Sequence, residues 1–333
     1  MSDFRQDITT REWVIVAPER AKRPNSSEPA VREESKPPPW DESCPFCPGN
    51  EDRSPHEVFR LDDGQSGWIT RVVPNLYPAL APDSDATRHV EEGIFKRIAG
   101  AGVHEVIVET PVHNSNMASF DGAQMANVLL TYRNRYNSLK ELPFVRFISV
   151  FKNHGKRAGT SLCHPHSQLI ATSIAPPYVR RKLDIALQHY DEMGTCLYCD
   201  LVQHELRVGR RVTAATESFL AFHPYASRSP FETWVLPSQH SPCFGQASDR
   251  DLRDLADILH RTLSSLTALL GDFDFNLVIC SSPTEDEANH YYDWHIIVVP
   301  RLTTAAGFEI GSGMPITTAT PEETADRVRK ATP

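Results

Sequence analysis

The chain has little that would tie it to a membrane or to nucleic acid. Its 333 residues include no run of about 18 apolar residues, the length that spans a bilayer. The formal net charge is −9, whereas general binding to nucleic acid or to anionic lipid favours a basic surface. The N-terminal residues Met1-Ser2-Asp3-Phe4-Arg5 lack the charged-then-apolar pattern of a secretory signal. We therefore expect a soluble, cytoplasmic protein without a membrane or nucleic-acid partner.

Cysteine is scarce, and its number is odd. Of the seven cysteines, four form two Cys-x-x-Cys pairs, Cys44 with Cys47 and Cys196 with Cys199. In a chain without an export signal, such pairs favour reduced thiols that bind a metal over disulfides. Free buried cysteines and a thioredoxin-like redox pair are the alternatives.

The order of motifs occurs twice along the chain. Each half contains a Cys-x-x-Cys pair, a strand leading to a histidine, an amphipathic helix, a second strand and a final strand with another histidine. The helices are predicted at about 119–139 and 248–270, and the interval between the two histidines is similar, His113 to His164 and His240 to His295. The repeat predicts an α+β fold of two tandem modules, each an antiparallel sheet with packed helices. Residues 1–175 form the first module and residues 178–333 the second, with the prolines at 176 and 177 between them.

The repeated cysteines and histidines predict two metal sites. Two thiolates and two imidazoles are a donor set that suits tetrahedral Zn²⁺. The first site is predicted at Cys44, Cys47, His113 and His164, and the second at Cys196, Cys199, His240 and His295. Because four protein ligands leave no open position for water, both ions are expected to be structural.

The segment 159–170 carries the clearest chemical pattern. His164, His166 and Gln168 alternate into an apolar run, so on a strand they would project from one face. One imidazole could attack phosphorus, the other could be anchored, and the amide could hold a phosphate oxygen. A histidine pair that only binds a metal is the alternative. If His295 corresponds to His164, Ile297 takes the place of His166, and the second module is expected to lack the nucleophile.

These residues resemble a known family. The opening residues 5–7, the segment Trp13-Val14-Ile15-Val16-Ala17-Pro18-Glu19-Arg20-Ala21-Lys22-Arg23-Pro24, the His-Pro-His-x-Gln core at 164–168 and the Gly-Phe-Glu tail at 307–309 are similar to the galactose-1-phosphate uridylyltransferase family of the histidine triad superfamily. The resemblance implies that His166 is a nucleophile that carries a nucleotidyl group between phosphorylated partners by ping-pong kinetics. It also implies that Gln168 holds a phosphoryl oxygen in the transition state.

The resemblance extends to substrate-binding residues and to partners. It implies contacts with the nucleotide or its phosphates from Arg20, Arg23, Asn75, Asn153, Gly159 and Ser161. The expected partners are a nucleoside diphosphate sugar and either a sugar 1-phosphate or inorganic phosphate, in a homodimer. The tail 307–314 departs from that of the sugar uridylyltransferases. This tail, the zinc-type second site and the loop 153–155 are also similar to the ADP-glucose phosphorylase branch.

Three functions follow from these residues. The first is a nucleotidyltransferase, either uridylyl transfer with hexose 1-phosphates, as in galactose metabolism, or adenylyl transfer from ADP-glucose to phosphate. The second is a histidine-triad hydrolase, against which Gln168 argues because a neutral amide cannot shuttle a proton to or from water. The third is a non-catalytic, zinc-stabilised nucleotide-binding module.

Overall fold

The computed structural model describes residues 1–22 and 37–331. The strands are β1 (Asp3–Gln6), β2 (Trp13–Val16), β3 (Phe59–Asp62), β4 (Trp68–Pro74), β5 (Arg88–Glu91), β6 (Phe95–Ile98), β7 (Gly102–Val108), β8 (Phe147–His154), β9 (His166–Thr172), β10 (Val212–Ala215), β11 (Phe219–Phe222), β12 (Thr233–Pro237), β13 (Phe275–Cys280), β14 (His295–Pro300) and β15 (Ile316–Thr317). The helices are α1 (Gly122–Lys140), α2 (Pro177–Met193), α3 (Leu197–Val208), α4 (Asp249–Leu270), α5 (Gly307–Ser312) and α6 (Pro321–Ala331).

One ten-stranded antiparallel sheet runs through both modules, in the order β10-β11-β12-β14-β13-β8-β9-β7-β4-β3. Its centre is the pair β8 and β13, where Phe275 lies opposite His154 and Ile279 opposite Val150. Outward from that centre, β8-β9-β7-β4-β3 matches β13-β14-β12-β11-β10 strand for strand. The predicted two-module α+β fold is confirmed, and the two sheets join edge to edge. This pairing gives hydrogen-bond partners to edges that would otherwise be exposed.

Two equivalent helices, α1 and α4, pack together over the centre of the sheet. Asp121 caps α1, its carboxylate accepting a hydrogen bond from the Gln124 N–H at 2.7 Å. Ser248 caps α4 in a reciprocal pair with Asp251. Such caps satisfy backbone donors that have no partner within the helix.

Helices α2 and α3 cover the other face of the second half of the sheet and were not predicted. Pro177, expected to lie in a connector, is the first residue of α2, where its missing N–H is tolerated. Leu183 and Tyr198 on these helices pack against Leu220 and Trp234 of the sheet. No described helix has both the length and the apolar composition needed to cross a membrane.

Candidate active site

His166 is the first residue of β9 and lies near the middle of the sheet. Its Nδ1 donates a hydrogen bond to the His164 carbonyl at 2.8 Å, which leaves the lone pair on Nε2. Among the described residues Nε2 has no hydrogen-bond partner, and the Phe46 ring lies 5.7 Å from the imidazole centroid. Burial lowers the pKa of His166, so its ring is neutral at neutral pH. The imidazole is therefore oriented and protonated as a nucleophile through Nε2 requires.

A buried ion pair contacts the backbone of His166. Glu109 and Lys152 form an ion pair with 2.6 Å between Oε2 and Nζ, and both side chains are buried. Lys152 also donates to the His166 carbonyl at 3.1 Å. Glu109 accepts hydrogen bonds from the Tyr132 hydroxyl at 2.9 Å and from the Ser167 hydroxyl. Lys152 holds the pKa of the Glu109 carboxyl below its usual range despite complete burial.

Gln168 belongs to a polar chain on the other side of His166. His104 Nδ1 accepts a hydrogen bond from the Ala79 N–H at 3.2 Å, so the ring proton is on Nε2. That nitrogen lies 2.8 Å from Gln168 Oε1 and donates to it. Asn75 approaches the same nitrogen, with its Nδ2 3.1 Å away. Two of the predicted site residues, Asn75 and Gln168, are thus brought together through His104, which the sequence analysis missed.

The segment before His164 is a tight loop that the second module supports. Gly155 and Gly159 have φ angles of +85° and +92°, values that favour glycine. Asn276 of β13 donates to Asn153 Oδ1 at 2.8 Å and to the Ala158 carbonyl at 3.0 Å. Continuing the β8–β9 register by two residues places Asn153 opposite His166. Asn153 is therefore next to His166 in the sheet and Gly159 lies near the Asn153 side chain, while the roles of both at phosphate stay predictions.

The remaining predicted substrate contacts are less closely tied to His166. Ser161 is exposed in the same loop. Arg20 is half-buried in the short turn Pro18–Lys22, where its N–H donates to the Ala17 carbonyl at 3.0 Å. Arg23 lies outside the described residues. The roles of these three residues at phosphate stay predictions.

The first predicted metal group converges. Cys44, Cys47, His113 and His164 are all buried, and their ligand atoms lie within 4.8 Å of one another. His164 Nδ1 is 3.7 Å from Cys44 Sγ and 3.6 Å from Cys47 Sγ. Ligands of a tetrahedral ion at about 2.0–2.3 Å lie about 3.5 Å apart, so the spacing fits such an ion.

The protonation state of His164 is also compatible with metal binding. Its Nε2 donates to the Thr110 carbonyl at 2.8 Å, so the Nδ1 lone pair faces the two sulfurs. Burial lowers its pKa to about 4, which keeps the ring neutral. A metal-binding histidine is typically oriented in this way, by a hydrogen bond from its second ring nitrogen.

The second metal group differs from the prediction in one ligand. Cys196, Cys199 and His240 converge with Asp293, not with His295. Asp293 Oδ2 lies 3.5 Å from Cys196 Sγ and 3.3 Å from Cys199 Sγ, and its Oδ1 is 2.7 Å from His240 Nδ1. The assignment of His295 to this site is therefore corrected. The spacing contained the signal, because Asp293 precedes His295 by two residues as His164 precedes His166.

His295 is the counterpart of His166. Each begins the last strand that its half contributes to the ten-stranded sheet, and each Nδ1 donates to the carbonyl two residues earlier, at 3.0 Å for His295. The expectation that Ile297 replaces the nucleophile is therefore also corrected, because the structure aligns Ile297 with Gln168. His295 is fully enclosed, with its ring stacked near Tyr198 and Trp234 and its Nε2 3.2 Å from Lys182 Nζ.

The fold and the site define a protein of two equivalent α+β modules that share one antiparallel sheet, in which His166 and His295 occupy the same position. Sequence models of the galactose-1-phosphate uridyl transferase N-terminal and C-terminal domains match residues 1–176 and 178–331. The chain belongs to the galactose-1-phosphate uridylyltransferase family.

Individual relatives divide between two activities. The chain is 35% identical to an ADP-glucose phosphorylase of Arabidopsis thaliana over 98% of this chain and 92% of that protein. It is 27% identical to a galactose-1-phosphate uridylyltransferase of Thermotoga maritima, over 99% of this chain and 98% of that protein. A crystal structure of an Arabidopsis thaliana ADP-glucose phosphorylase with bound ADP-glucose superposes with a TM-score of 0.85 at 32% identity, covering 99% of each chain. A uridylyltransferase structure superposes with a TM-score of 0.76 at 26% identity, covering 99% of this chain and 98% of that one.

Proposed function

We propose that this chain is a nucleotidyltransferase in which His166 carries the nucleotidyl group. The observation that supports this most directly is the free Nε2 of a neutral, anchored imidazole at the start of β9. The proposed substrates are a nucleoside diphosphate sugar and a second molecule with a phosphate group.

The proposed reaction has two steps. The Nε2 lone pair attacks the α-phosphorus, a P–N bond forms, and the bond from the α-phosphorus to the bridging oxygen breaks. The sugar 1-phosphate leaves with that electron pair. An oxygen of the acceptor phosphate then attacks the same phosphorus, and the P–N bond breaks to restore neutral His166. Dividing the transfer in this way is nucleophilic catalysis.

Gln168 and the loop before His164 would stabilise the phosphoryl oxygens. His104 donates to Gln168 Oε1, which leaves the amide N–H groups of Gln168 for a substrate oxygen. The glycine-containing turn at 155–159 can present backbone N–H groups to the same charge. Because the amide is neither an acid nor a base at neutral pH, water gains no help in attacking the intermediate.

Two nucleotide donors fit the family. A uridylyl donor corresponds to galactose-1-phosphate uridylyltransferases, and galactose 1-phosphate would then be the acceptor. An adenylyl donor, ADP-glucose, with inorganic phosphate as acceptor is the second candidate. The identities favour the second candidate, since they are 35% for the phosphorylase and 27% for the uridylyltransferase.

We also propose that both metal groups bind Zn²⁺. The first offers two thiolates and two imidazoles, and the second offers two thiolates, an imidazole and a carboxylate, all of which are zinc ligands. Four protein ligands leave no position for a substrate, so the ions would stabilise the fold around each final strand.

The test is intact-mass spectrometry after separate incubation with UDP-glucose and with ADP-glucose. We expect the wild-type protein to gain one nucleotidyl group from at least one donor, and the His166→Ala variant to gain none. Added galactose 1-phosphate should discharge a uridylyl adduct, and inorganic phosphate an adenylyl adduct. Release of free mononucleotide without an acceptor would indicate a hydrolase instead.

A correctly folded, zinc-containing protein that forms no adduct with either donor would contradict the proposed mechanism with these substrates. Matching thermal unfolding curves of the wild-type and His166→Ala proteins would show that the variant is folded. The bound nucleotide identifies the donor class directly.

A homodimer is a further part of the proposal. Large apolar side chains are exposed, among them Tyr77 at 85% and Ile310 at 76%. Burial of such groups favours association. Analytical ultracentrifugation should give about twice the chain mass, and a monomer at micromolar concentration would contradict this part.

A further inference from the structure

The backbone around His166 is tied to a single buried ion pair. Lys152 Nζ donates to the His166 carbonyl at 3.1 Å. The Glu109 N–H donates to the Pro165 carbonyl at 3.1 Å. The Glu109 carboxylate accepts from the hydroxyl of Ser167. Glu109 and Lys152 therefore contact three consecutive residues, with the nucleophile in the middle.

The pair is isolated from water and braced by a hydroxyl. The side chains of Glu109 and Lys152 are 0% and 2% exposed. Tyr132 on α1 donates to Glu109 Oε1 at 2.9 Å, and its oxygen lies 2.5 Å from Ser167 Oγ. Each polar side-chain atom of Glu109 and Lys152 has a hydrogen-bond partner. Movement of the His166 backbone would therefore weaken the hydrogen bond to Lys152 and leave its buried charge with fewer partners.

The second module shows that this fold does not need the pair. If the β8–β9 register is continued by one residue, Lys152 lies opposite Ser167, the residue after His166. In the second module Ile279 lies opposite Ile296, the residue after His295, so Ile279 corresponds to Lys152. By the same comparison Glu109 corresponds to Pro237. Both counterparts are buried and carry no charge. A buried ion pair is seldom more stabilising than well-packed apolar residues, so stability alone does not explain its presence in the first module.

We propose that Glu109 and Lys152 are positioning residues for the nucleophile, which hold the His166 imidazole in line with the α-phosphorus. The inference rests on the proposed function of His166. Displacement of a reacting group by about 1 Å can lower a rate about 100-fold, so a rigid support has a direct catalytic consequence. The pair acts through the backbone and does not contact the substrate.

The test removes both charges together and leaves no unpaired charge in the core. The variant is Glu109→Leu with Lys152→Ile, which resembles the apolar arrangement of the second module. The matched control is Glu105→Leu with Arg135→Met. Glu105 also lies on β7, and it forms an ion pair with Arg135 at 2.6 Å, with side chains 3% and 11% exposed.

Two measurements separate positioning from general stability. The first is the rate constant and the donor KM for formation of the nucleotidyl adduct. We expect the Glu109–Lys152 variant to lose about 10- to 100-fold in rate constant with the donor KM within threefold of the wild type. The control variant should keep both within threefold. Equal losses in the two variants, or no loss in either, would overturn the proposal.

The second measurement does not depend on activity. The imidazole of His166, labelled with ¹⁵N and assigned with His166→Ala, should give one sharp set of resonances in the wild type and control. In the Glu109–Lys152 variant it should be broadened or doubled, and unchanged resonances would refute positioning. If the wild type forms no adduct but the Glu109–Lys152 variant alone shows this broadening, the proposed function fails while the positioning stands.

A milder substitution covers the case in which the double variant does not fold. Ser167→Ala removes one hydroxyl donor to Glu109 and leaves the ion pair intact. We expect its adduct rate constant to fall about fivefold with unchanged donor KM, and an unchanged rate constant would overturn the proposal.

Discussion

His166 and His295 occupy the same position in two halves of one sheet, with opposite surroundings. Both imidazoles donate from Nδ1 to the carbonyl two residues earlier, so both direct the Nε2 lone pair away from the backbone. The Nε2 of His166 lacks a partner among the described residues, whereas that of His295 accepts from Lys182 on α2. Both modules therefore orient the imidazole in the same way. Whether Nε2 is free to contact a substrate depends on the residues that pack over the ring.

The two sites also differ beneath the histidine. The first has the ion pair of Glu109 and Lys152, and the second has Pro237 and Ile279. The residue two positions after the histidine is Gln168 in the first and Ile297 in the second. The second half instead supports the first, through Asn276 and its hydrogen bonds to the loop at 153–158. The first module thus carries polar and charged groups around its histidine, and the second contributes hydrogen bonds that hold the loop of the first.

The largest expected difference is between substitutions of the two histidines. His166→Ala should lower nucleotidyl transfer by at least about 10⁴-fold, because it removes the nucleophile. His295→Phe should leave transfer within about threefold, since an aromatic ring can still stack near Trp234 and Tyr198. Steady-state turnover measures both, with circular dichroism as the folding control. A comparable loss of nucleotidyl transfer in both variants would show that the two histidines do not differ in function.

The next largest loss of transfer should follow when Gln168 is replaced by isoleucine, the residue at the equivalent position of the second module. Gln168→Ile copies Ile297 and removes the amide donors that we propose bind the phosphoryl oxygens. We expect the rate constant for transfer to fall about 10²- to 10³-fold, the range for loss of one such donor. Gln168→Asn, with its shorter amide, is the companion variant and should lose less. Equal rates for Gln168→Ile and the wild type would remove Gln168 from the proposed mechanism.

Metal removal should distinguish the modules as well. The first group is entirely buried, whereas Cys199 and His240 of the second are partly exposed. A chelator should therefore remove the second ion first, with transfer still within about threefold of the untreated protein. Removal of the first should abolish transfer, because His164 is bound two residues from His166. Elemental analysis and activity followed together over time test this order, and Asp293→Ala should contain one ion instead of two.

The smallest effect concerns His223, a buried second-module histidine outside both sites. Burial lowers its pKa to about 3, while its Nδ1 lies 2.7 Å from Thr324 Oγ1. Its neutral form is the stable one in the folded protein, so its contribution is complete above about pH 6.5 and is lost as the pH falls towards 3. The free energy of unfolding should decrease by about 1.4 kcal/mol per pH unit in this range.

The matched measurement is urea unfolding of the wild type and of His223→Gln at pH 7 and pH 5. The wild type should lose about 2 kcal/mol more than the variant between these two values. Identical losses would show that protonation of His223 does not distinguish the folded from the unfolded chain.

Several elements were predictable because their causes are local. The helices α1 and α4 follow from periodic apolar residues behind Asp121 and Ser248, and the first metal group from a Cys-x-x-Cys pair and two spaced histidines. The prolines at 176 and 177 instead indicate a connector, although Pro177 is the first residue of α2. The buried Lys152 had a local signal, since it alternates with the buried Ile148 and Val150 on β8.

The metal-binding and polar side chains and the repeated order of motifs can be recognised in the amino-acid sequence alone. The sequence also shows that His166 and Gln168 lie on the same face, because a strand places alternate side chains on one face. The contact of His104 with Gln168 and the position of Lys182 beside His295 depend instead on the tertiary structure. Lys182 and His295 are 113 residues apart in the chain. Contacts at such separations depend on how the modules and helices pack, and this packing encloses His295 but leaves Nε2 of His166 without a hydrogen-bond partner among the described residues.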